Sequence, residues 1–274
     1  MTPRFAVIGN PIAHSKSPVI HAAFAAQLGL TIQYDRVLAP PGAFAATAEG
    51  LRAEGVVGAN VTLPFKLDAF RYADTLSVAA RQAEAVNTLC FGKDGVAGHN
   101  TDGIGLLRDI QDNHAYPLRG KRVLVVGAGG AARGAIGPLL EAGPSYLAIS
   151  NRTPEKAADI ARHFASVGKV EALAAAALAG NAFDVVINAT SASLGDPLPP
   201  VTADVFGKDA LAYDMVYGKG VTPFLELARQ SGARISDGLG MLIEQAAEGF
   251  WLWHGVRPQT APVLAAMRTG LPDA

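Results

Sequence analysis

Cysteine is almost absent from this sequence of 274 residues, since Cys90 is the only one. A single cysteine cannot form an intrachain disulfide, which fits a reducing compartment such as the cytoplasm. Cys90 lies inside the apolar run 88–91. We therefore expect a buried, unreactive thiol rather than a catalytic one.

An excess of charge of either sign is also lacking, because 23 Lys and Arg face 24 Asp and Glu. Such a balance gives no general attraction for nucleic acid or for an anionic membrane. No run of about 18 apolar residues offers a membrane span. The N-terminus enters strand-like sequence without the charged and apolar regions of a signal peptide. We expect a soluble, cytoplasmic protein with no nucleic-acid partner and no membrane partner.

Clusters of metal ligands are the third absence. None of the six histidines has the spacing to another histidine, a cysteine or a carboxylate that a metal site needs. We therefore predict no metal, and we expect His14 and His21 to serve packing.

What the sequence does contain is a sizeable apolar half, enough for one or two globular domains. Strand-like segments alternate with segments of helical spacing, which predicts largely parallel sheets with helices on their faces. The second block, which starts at the strand 123–126, predicts a doubly wound unit of its own. The predicted elements are 5–9, 18–28, 31–38, 43–53, 56–61, a helical stretch up to 85, 88–91, 123–126, 131–142, 146–150, 154–164, 185–187, 211–216, 241–253 and 261–268.

Two segments of the second block are unusual. Pro138 lies about two turns into a predicted helix, where it should remove a backbone hydrogen bond and kink the helix. The alanine-rich stretch Ala172–Ala179 is expected to be a short helix.

A glycine-rich turn, Gly127–Ala132, follows the strand 123–126 and opens the next helix. In this context Gly127 permits a tight turn, Gly129 lets the backbone approach a pyrophosphate, and Ala132 allows close packing. The helix N-terminus then favours the phosphates through its free N–H groups and its dipole. The alternative is a glycine-rich turn without a ligand. The residues predicted to contact the cofactor here are Gly127, Ala128, Gly129, Gly130 and Ala131.

The end of the following strand distinguishes between the two nicotinamide cofactors. An NAD site commonly has Asp or Glu there to bind the ribose 2′-OH. This sequence has Asn151, Arg152 and Thr153 instead, with Lys156 one helical turn later. Two cations at a helix N-terminus oppose its dipole unless an anion is bound, and arginine binds phosphate in bidentate fashion. We therefore predict NADP.

Four polar clusters interrupt the apolar runs of the first block, several of them at the ends of predicted strands. In doubly wound folds ligands bind beyond the carboxyl ends of the strands. Each cluster alone would be a helix cap or a turn, but together they indicate a surface for a hydroxyl-rich ligand. The clusters are 10–18, 60–66, 84–88 and 98–103.

Taken in order, these motifs resemble the shikimate dehydrogenase family (shikimate and quinate dehydrogenases), and the likeness covers nearly the whole chain. The motifs that carry it are Ser15–Pro18, Asn60–Lys66, Asn100–Gly103, the Gly127 turn, Asn151–Thr153, Asn188–Ser191, Tyr213–Tyr217, Thr222–Leu225 and Gly240–Ala247.

The resemblance implies the reversible, NADPH-dependent reduction of 3-dehydroshikimate to shikimate, on two doubly wound α/β domains flanking a cleft. The second domain, 103–238, would be the Rossmann-type NADP domain. The substrate domain would be discontinuous, 1–102 plus 239–274. The residues implied to bind the substrate are Ser15, Ser17, Asn60, Thr62, Asn87, Tyr217 and Gln245; Thr190, Met215 and Gly238 would face the ribose and nicotinamide.

Lys66 and Asp102 are the implied catalytic pair. Ketone reduction needs a hydride and a proton, and a cation near the developing alkoxide stabilises its charge. A protonated Lys66 beside Asp102 could provide both. For the reverse oxidation Lys66 must first lose its proton, so the rate should climb with pH.

Two alternatives remain at this point. One is a quinate or aminoshikimate dehydrogenase of the same family. The other is a ligand-sensing relative without catalysis, which the presence of both Lys66 and Asp102 disfavours. The expected assembly is a monomer or a homodimer.

Overall fold

The computed structural model describes residues 2–190 and 200–269. The chain divides into two compact units, one of Met1–Gly105 with Ile243–Val263, and one of Leu106–Leu242 with Leu264–Ala274. Ser191, the last residue of one quoted motif, lies outside the described residues, as do residues 270–274.

The first unit alternates strands and helices, as predicted. In chain order its elements are β1 (Arg4–Gly9), α1 (Ser17–Gln27), β2 (Gln33–Leu38), α2 (Phe44–Ala53), β3 (Val56–Val61), α3 (Lys66–Tyr72), β4 (Thr75–Leu76), α4 (Val78–Ala83), β5 (Thr88–Gly92) and β6 (Gly95–His99). The helix α5 (Asp102–Arg108) follows and runs into the second unit.

The sheet of the first unit has the order β2-β1-β3-β5-β6-β4. β1, β2 and β3 are parallel, but β5 runs antiparallel to both β3 and β6. Because of this reversal, the beginning of β5 lies at the same sheet edge as the ends of β3 and β6. Asn60 pairs with Thr88, and Thr88 pairs with His99.

Aromatic side chains fill one part of the first unit around His21, which is fully buried. Its ring stacks on Tyr34 with centroids 4.6 Å apart and lies 5.2 Å from Trp253. Neither ring nitrogen has a hydrogen-bond partner among the described residues. Burial lowers the pKa of His21 to about 3, so the imidazole is neutral in the folded protein.

Because His21 is buried and neutral, we predict that the free energy of unfolding decreases in acid. Between pH 6.5 and about pH 3 the unfolded chain binds a proton at His21 and the folded chain does not. The free energy of unfolding should therefore drop as the pH falls through this window, by up to about 1.4 kcal/mol per pH unit from this group. Urea titrations at pH 7.5 and 5.5 measure it. His21→Phe, which keeps the aromatic stack, should show a clearly smaller drop, and an equal drop would contradict the assignment.

The second unit continues the alternation of strands and helices. Its elements are β7 (Arg122–Val126), α6 (Gly130–Glu141), β8 (Tyr146–Ser150), α7 (Pro154–His163), β9 (Glu171–Leu173), β10 (Phe183–Asn188), β11 (Phe206–Asp214), α8 (Pro223–Gln230) and β12 (Arg234–Ser236). Two helices end the described chain, α9 (Leu239–His254) and α10 (Ala261–Arg268).

The strands of the second unit form a parallel sheet in the order β12-β11-β10-β7-β8-β9. The direction of winding reverses between β7 and β10, which is the topological switch point of a Rossmann fold. Apolar side chains cover both faces of this sheet in two separate clusters. The predicted fold class, with a Rossmann-type second domain, is confirmed.

Several local predictions need correction. The helical stretch up to Ala85 is divided into α3 and α4 by the short strand β4, which pairs with β6. Part of the expected helix Ala172–Ala179 belongs to β9, since pairing with β8 overrides the helix propensity of alanine; only residues 175–178 form a 3₁₀ turn. Pro138 lies inside α6, which extends to Glu141, and the kink stays a prediction.

A membrane-spanning helix does not occur among the described residues, because none of their helices combines the required length with sufficient apolar character.

Candidate active site

The polar clusters of the first unit converge at one edge of its sheet. Lys66 is the first residue of α3, which follows β3, and Asp102 is the first residue of α5, which follows β6. Lys66 Nζ lies 2.5 Å from Asp102 Oδ2. The side chains are 29% and 12% exposed, so the pair is largely sheltered while the Lys66 side chain remains partly accessible. This is the arrangement that a proton donor with an orienting carboxylate requires.

Asn87 is the centre of the hydrogen bonds around this pair. Its Nδ2 donates to Asp102 Oδ1 at 2.8 Å, to Thr101 Oγ1 at 3.0 Å and to Gln245 Oε1 at 3.3 Å. Its Oδ1 accepts from the backbone N–H of Thr101 at 2.9 Å. Four of the predicted site residues, Lys66, Asp102, Asn87 and Gln245, therefore lie in one connected group.

Asn60 joins the same group from the end of β3. Its Nδ2 donates to the Asn87 carbonyl at 3.3 Å and to Thr88 Oγ1 at 3.1 Å, while its Oδ1 accepts from the Tyr34 hydroxyl at 2.6 Å. Burial raises the pKa of Tyr34, so the phenol stays a hydrogen-bond donor. Both amide groups are thus held in fixed orientations.

Ser15 and Ser17 form a second small group at the start of α1. Ser15 Oγ donates to Ser17 Oγ at 3.2 Å, and Arg36 holds the Ser15 carbonyl with Nε at 3.0 Å and Nη2 at 2.6 Å.

Thr62 follows β3, and its backbone N–H donates to the Ile8 carbonyl at 3.0 Å. Tyr217, the remaining residue implied to bind the substrate, belongs to the second unit.

The glycine turn of the second unit has the geometry of a phosphate cradle. Gly127 has φ +111°, and a Cβ there would lie 3.0 Å from the Ala189 backbone and from Thr190 Cγ2. A Cβ at Gly129 or Gly130 would meet nothing within 4 Å, which leaves open space before the first turn of α6. Gly129, the N-cap, provides no side chain to occupy the free N–H groups. The turn therefore fits a pyrophosphate.

Cations lie beyond the end of β8. Asn151 Nδ2 donates to the Thr153 carbonyl at 3.0 Å and closes the turn before α7. Arg152 and Lys156 are exposed, and neither forms an ion pair within residues 2–190 and 200–269. Thr153, the N-cap of α7, makes no side-chain capping bond. These residues fit the 2′-phosphate that distinguishes NADP from NAD.

A buried pair, Asn188 and Asp214, shapes the ends of β10 and β11. Asn188 Nδ2 donates to Asp214 Oδ1 at 3.2 Å, and Asn188 Oδ1 accepts from Thr190 Oγ1 at 2.7 Å. The Asn188 carbonyl accepts from Met215 N–H at 3.0 Å. Gly238 lies so close to Met215 that a Cβ would be 2.2 Å from the Met215 carbonyl oxygen. Hydrogen bonds and close backbone contacts thus fix the positions of Thr190, Met215 and Gly238.

Three family models match the chain. The shikimate dehydrogenase substrate-binding domain matches residues 7–89, the shikimate/quinate 5-dehydrogenase model matches 109–195, and the shikimate 5′-dehydrogenase C-terminal domain matches 238–268. Shikimate dehydrogenase (NADP(+)) of Nitrosospira multiformis is 55% identical over 99% of this chain and 99% of its own. The chain belongs to the shikimate dehydrogenase family.

Two solved structures of similar proteins extend this result. An Ael1 enzyme from Pseudomonas putida is 48% identical and has a TM-score of 0.94, covering 100% of this chain and 99% of its own. Shikimate 5-dehydrogenase from Thermus thermophilus, solved with NADP(H) and shikimate, is 35% identical with a TM-score of 0.89, over 98% and 100% of the two chains. The predicted family membership is confirmed.

Three side chains that hold the candidate site in place were not predicted from the sequence. Tyr34 orients Asn60, Thr101 joins Asn87 to Gln245, and Arg36 fixes the Ser15 carbonyl. Thr101 stands beside Asp102 in a quoted motif, so its position was a usable signal. Tyr34 and Arg36 lie in β2 and contact residues that are far away in the sequence. Such contacts have no local sequence signal.

Proposed function

We propose that this protein is an NADP-dependent shikimate dehydrogenase, which reversibly reduces 3-dehydroshikimate to shikimate in aromatic amino-acid (chorismate) biosynthesis. The observation that carries the proposal is the Lys66–Asp102 pair, which a dehydrogenase of this kind requires and a mere ligand sensor does not. NADP is the cofactor in the names of the similar enzymes.

Lys66 is the proposed proton donor. When bound, NADPH supplies a hydride to the carbonyl carbon and is itself oxidised to NADP⁺. The Lys66 ammonium gives one proton to the oxygen, and its charge stabilises the alkoxide as that charge develops. Asp102 accepts a hydrogen bond from Lys66 and one from Asn87, so it holds the ammonium in one orientation.

The amide and hydroxyl groups are the proposed substrate contacts. Shikimate carries a carboxylate and hydroxyls, and the family motifs place Ser15, Ser17, Asn60, Thr62, Asn87, Gln245 and Tyr217 against them. Support comes from Asn60, Asn87 and Gln245, which are already oriented by hydrogen bonds beside Lys66 and Asp102. Pre-organised groups lose little entropy on binding.

We place NADP on the second unit. Gly127, Ala128, Gly129, Gly130 and Ala131 would bind the pyrophosphate, and Thr190, Met215 and Gly238 would contact the ribose and nicotinamide. The functional domains are proposed as 1–102 plus 239–274 for substrate and 103–238 for NADP. The match of residues 7–89 to a substrate-binding domain supports this division.

Removal of the Arg152 guanidinium should weaken NADP⁺ binding by about tenfold, because a charge-assisted phosphate contact contributes roughly 1.4 kcal/mol or more. Calorimetric titration of Arg152→Ala measures the Kd. NAD⁺, which has no 2′-phosphate, should bind equally to the variant and the wild type. Equal weakening of both cofactors would contradict the assignment of Arg152 to the 2′-phosphate.

The decisive assay for the function follows cofactor reduction. Purified protein should reduce NADP⁺ with shikimate at a far higher kcat/KM than with quinate, and NADP⁺ should be preferred to NAD⁺. A higher kcat/KM for quinate would favour the quinate dehydrogenase alternative. Binding of shikimate without any cofactor reduction would instead favour a sensor.

Location and assembly complete the proposal. We place the enzyme in the cytoplasm, where NADPH and a free thiol persist. Burial raises the pKa of Cys90 to about 11, which keeps this half-buried thiol protonated. The proposed assembly is a monomer or a homodimer, which sedimentation velocity distinguishes.

A further inference from the structure

A buried carboxylate, Asp237, holds the backbone next to Tyr217 and Gly238. Its Oδ1 accepts from the backbone N–H of Leu239 at 3.2 Å, at the start of α9, and its Oδ2 accepts from that of Gly218 at 3.4 Å. Two segments that lie at the ends of β11 and β12 are thereby joined through one side chain. Asp237 is 2% exposed, so water cannot compensate for a lost partner.

The charge of Asp237 is balanced by Arg268 of α10. Arg268 Nη2 lies 2.7 Å from Asp237 Oδ1 and Nη1 lies 2.9 Å from Oδ2, which is the bidentate geometry of a strong ion pair. Asp237 has no second cation within ion-pair distance in the described part of the chain. Removing one partner of such a pair leaves an uncompensated buried charge, which is strongly destabilising.

The Asp237–Arg268 ion pair lies next to backbone that we propose to face the cofactor. Gly238, the next residue, donates its backbone N–H to the Val216 carbonyl at 3.1 Å and leaves no space for a Cβ against Met215. Burial, and then the charge of Asp237, raise the pKa of Tyr217. A displacement of Asp237 would therefore move Gly218 and Leu239, and with them the neighbouring Tyr217 and Gly238. A shift of Gly238 would in turn act on Met215, because the two backbones are in close contact.

We propose that Arg268 is a positioning residue for the nicotinamide end of the NADP site, acting through Asp237 without touching the cofactor. The proposal rests on the proposed function, in which Met215 and Gly238 face the nicotinamide. It assigns a positioning role to α10, a helix that contains none of the motifs that carry the substrate and phosphate sites.

The test compares two ligands that differ at the nicotinamide end. NADP⁺ and 2′-phospho-ADP-ribose share the adenine, the 2′-phosphate and the pyrophosphate, but only NADP⁺ has the nicotinamide ring. Arg268→Met should weaken NADP⁺ binding by about tenfold and lower kcat by roughly 10- to 100-fold, the scale of a small misplacement. The Kd of 2′-phospho-ADP-ribose should stay within about twofold of the wild type.

Two further variants separate positioning from folding. Asp237→Asn with Arg268→Gln replaces the ion pair by a neutral amide pair and should fold even if Arg268→Met does not; it should show the same selective weakening of NADP⁺. Arg229→Met removes an exposed arginine that is paired with Glu226, and it should change neither ligand. Equal weakening of both ligands, or no weakening of either by the double variant, would overturn the proposal. A wild-type protein that binds neither ligand would overturn the proposed function itself.

Discussion

Lys66→Ala should lower kcat for shikimate oxidation by roughly 10³- to 10⁵-fold with only a modest change in KM. General acid–base catalysis contributes about 10²- to 10⁴-fold, and stabilisation of the alkoxide charge adds to it. KM should change little because Asn60, Asn87 and Gln245 keep their hydrogen bonds. Steady-state kinetics under saturating NADP⁺ measures both constants.

A matched control is provided by Lys121, which forms a lysine–aspartate pair with Asp184 at 3.4 Å in the second unit. Lys121→Ala removes the same chemical group from a site to which we assign no role in the reaction. The value of kcat should therefore stay at that of the wild type. If Lys66→Ala raises KM and leaves kcat unchanged, Lys66 is a binding residue and the proposed mechanism is wrong.

Asp102→Asn should be the next most damaging change, with a loss of about 10²- to 10³-fold in kcat. The substitution preserves the size of the side chain but removes the anion that holds Lys66 Nζ at 2.5 Å. A donor that is displaced by about 1 Å can lose 10²-fold in rate. Asn87 can still donate to the remaining oxygen, so the surrounding amide group should stay in place.

A double-variant cycle decides how Asp102 acts. If its effect runs through Lys66, the variant with both Lys66→Ala and Asp102→Asn should be no slower than Lys66→Ala alone, because residues that act as a unit are not additive. Losses that multiply would show instead that Asp102 acts on the substrate independently, and would contradict the orienting role.

The elements that the sequence predicted well are those with strong local signals. β3 and β8 are found at their predicted residues, because each is a short buried run between turn signals. The glycine turn could be predicted because a positive φ at Gly127 and the close approach of Ala189 require a residue without a Cβ. α10 also has its predicted bounds.

The short strands that escaped prediction depend on pairing between distant segments. β4, β9 and β12 have two or three residues each, and they are strands because neighbouring strands hydrogen-bond to them. The reversal of β5 likewise has no local signal, yet it brings Asn87 to the edge where Lys66 and Asp102 lie.

The candidate site shows the same division. Family motifs predicted Lys66, Asp102 and Asn87, and the structure joins them by hydrogen bonds. Tyr34 could not be found, because its bond to Asn60 depends on a separation of 26 residues and on the place of β2 at the sheet edge. Arg268 depends on α10 and Asp237 in the same way.

The central claim is that Lys66 delivers the proton to the oxygen of the carbon that receives the hydride. A crystal structure of the unreactive complex with NADPH and shikimate tests it most directly. Lys66 Nζ should lie within hydrogen-bond distance of the hydroxyl on the carbon nearest the nicotinamide. If Lys66 instead contacts the carboxylate, or lies out of reach of that hydroxyl, the account is wrong.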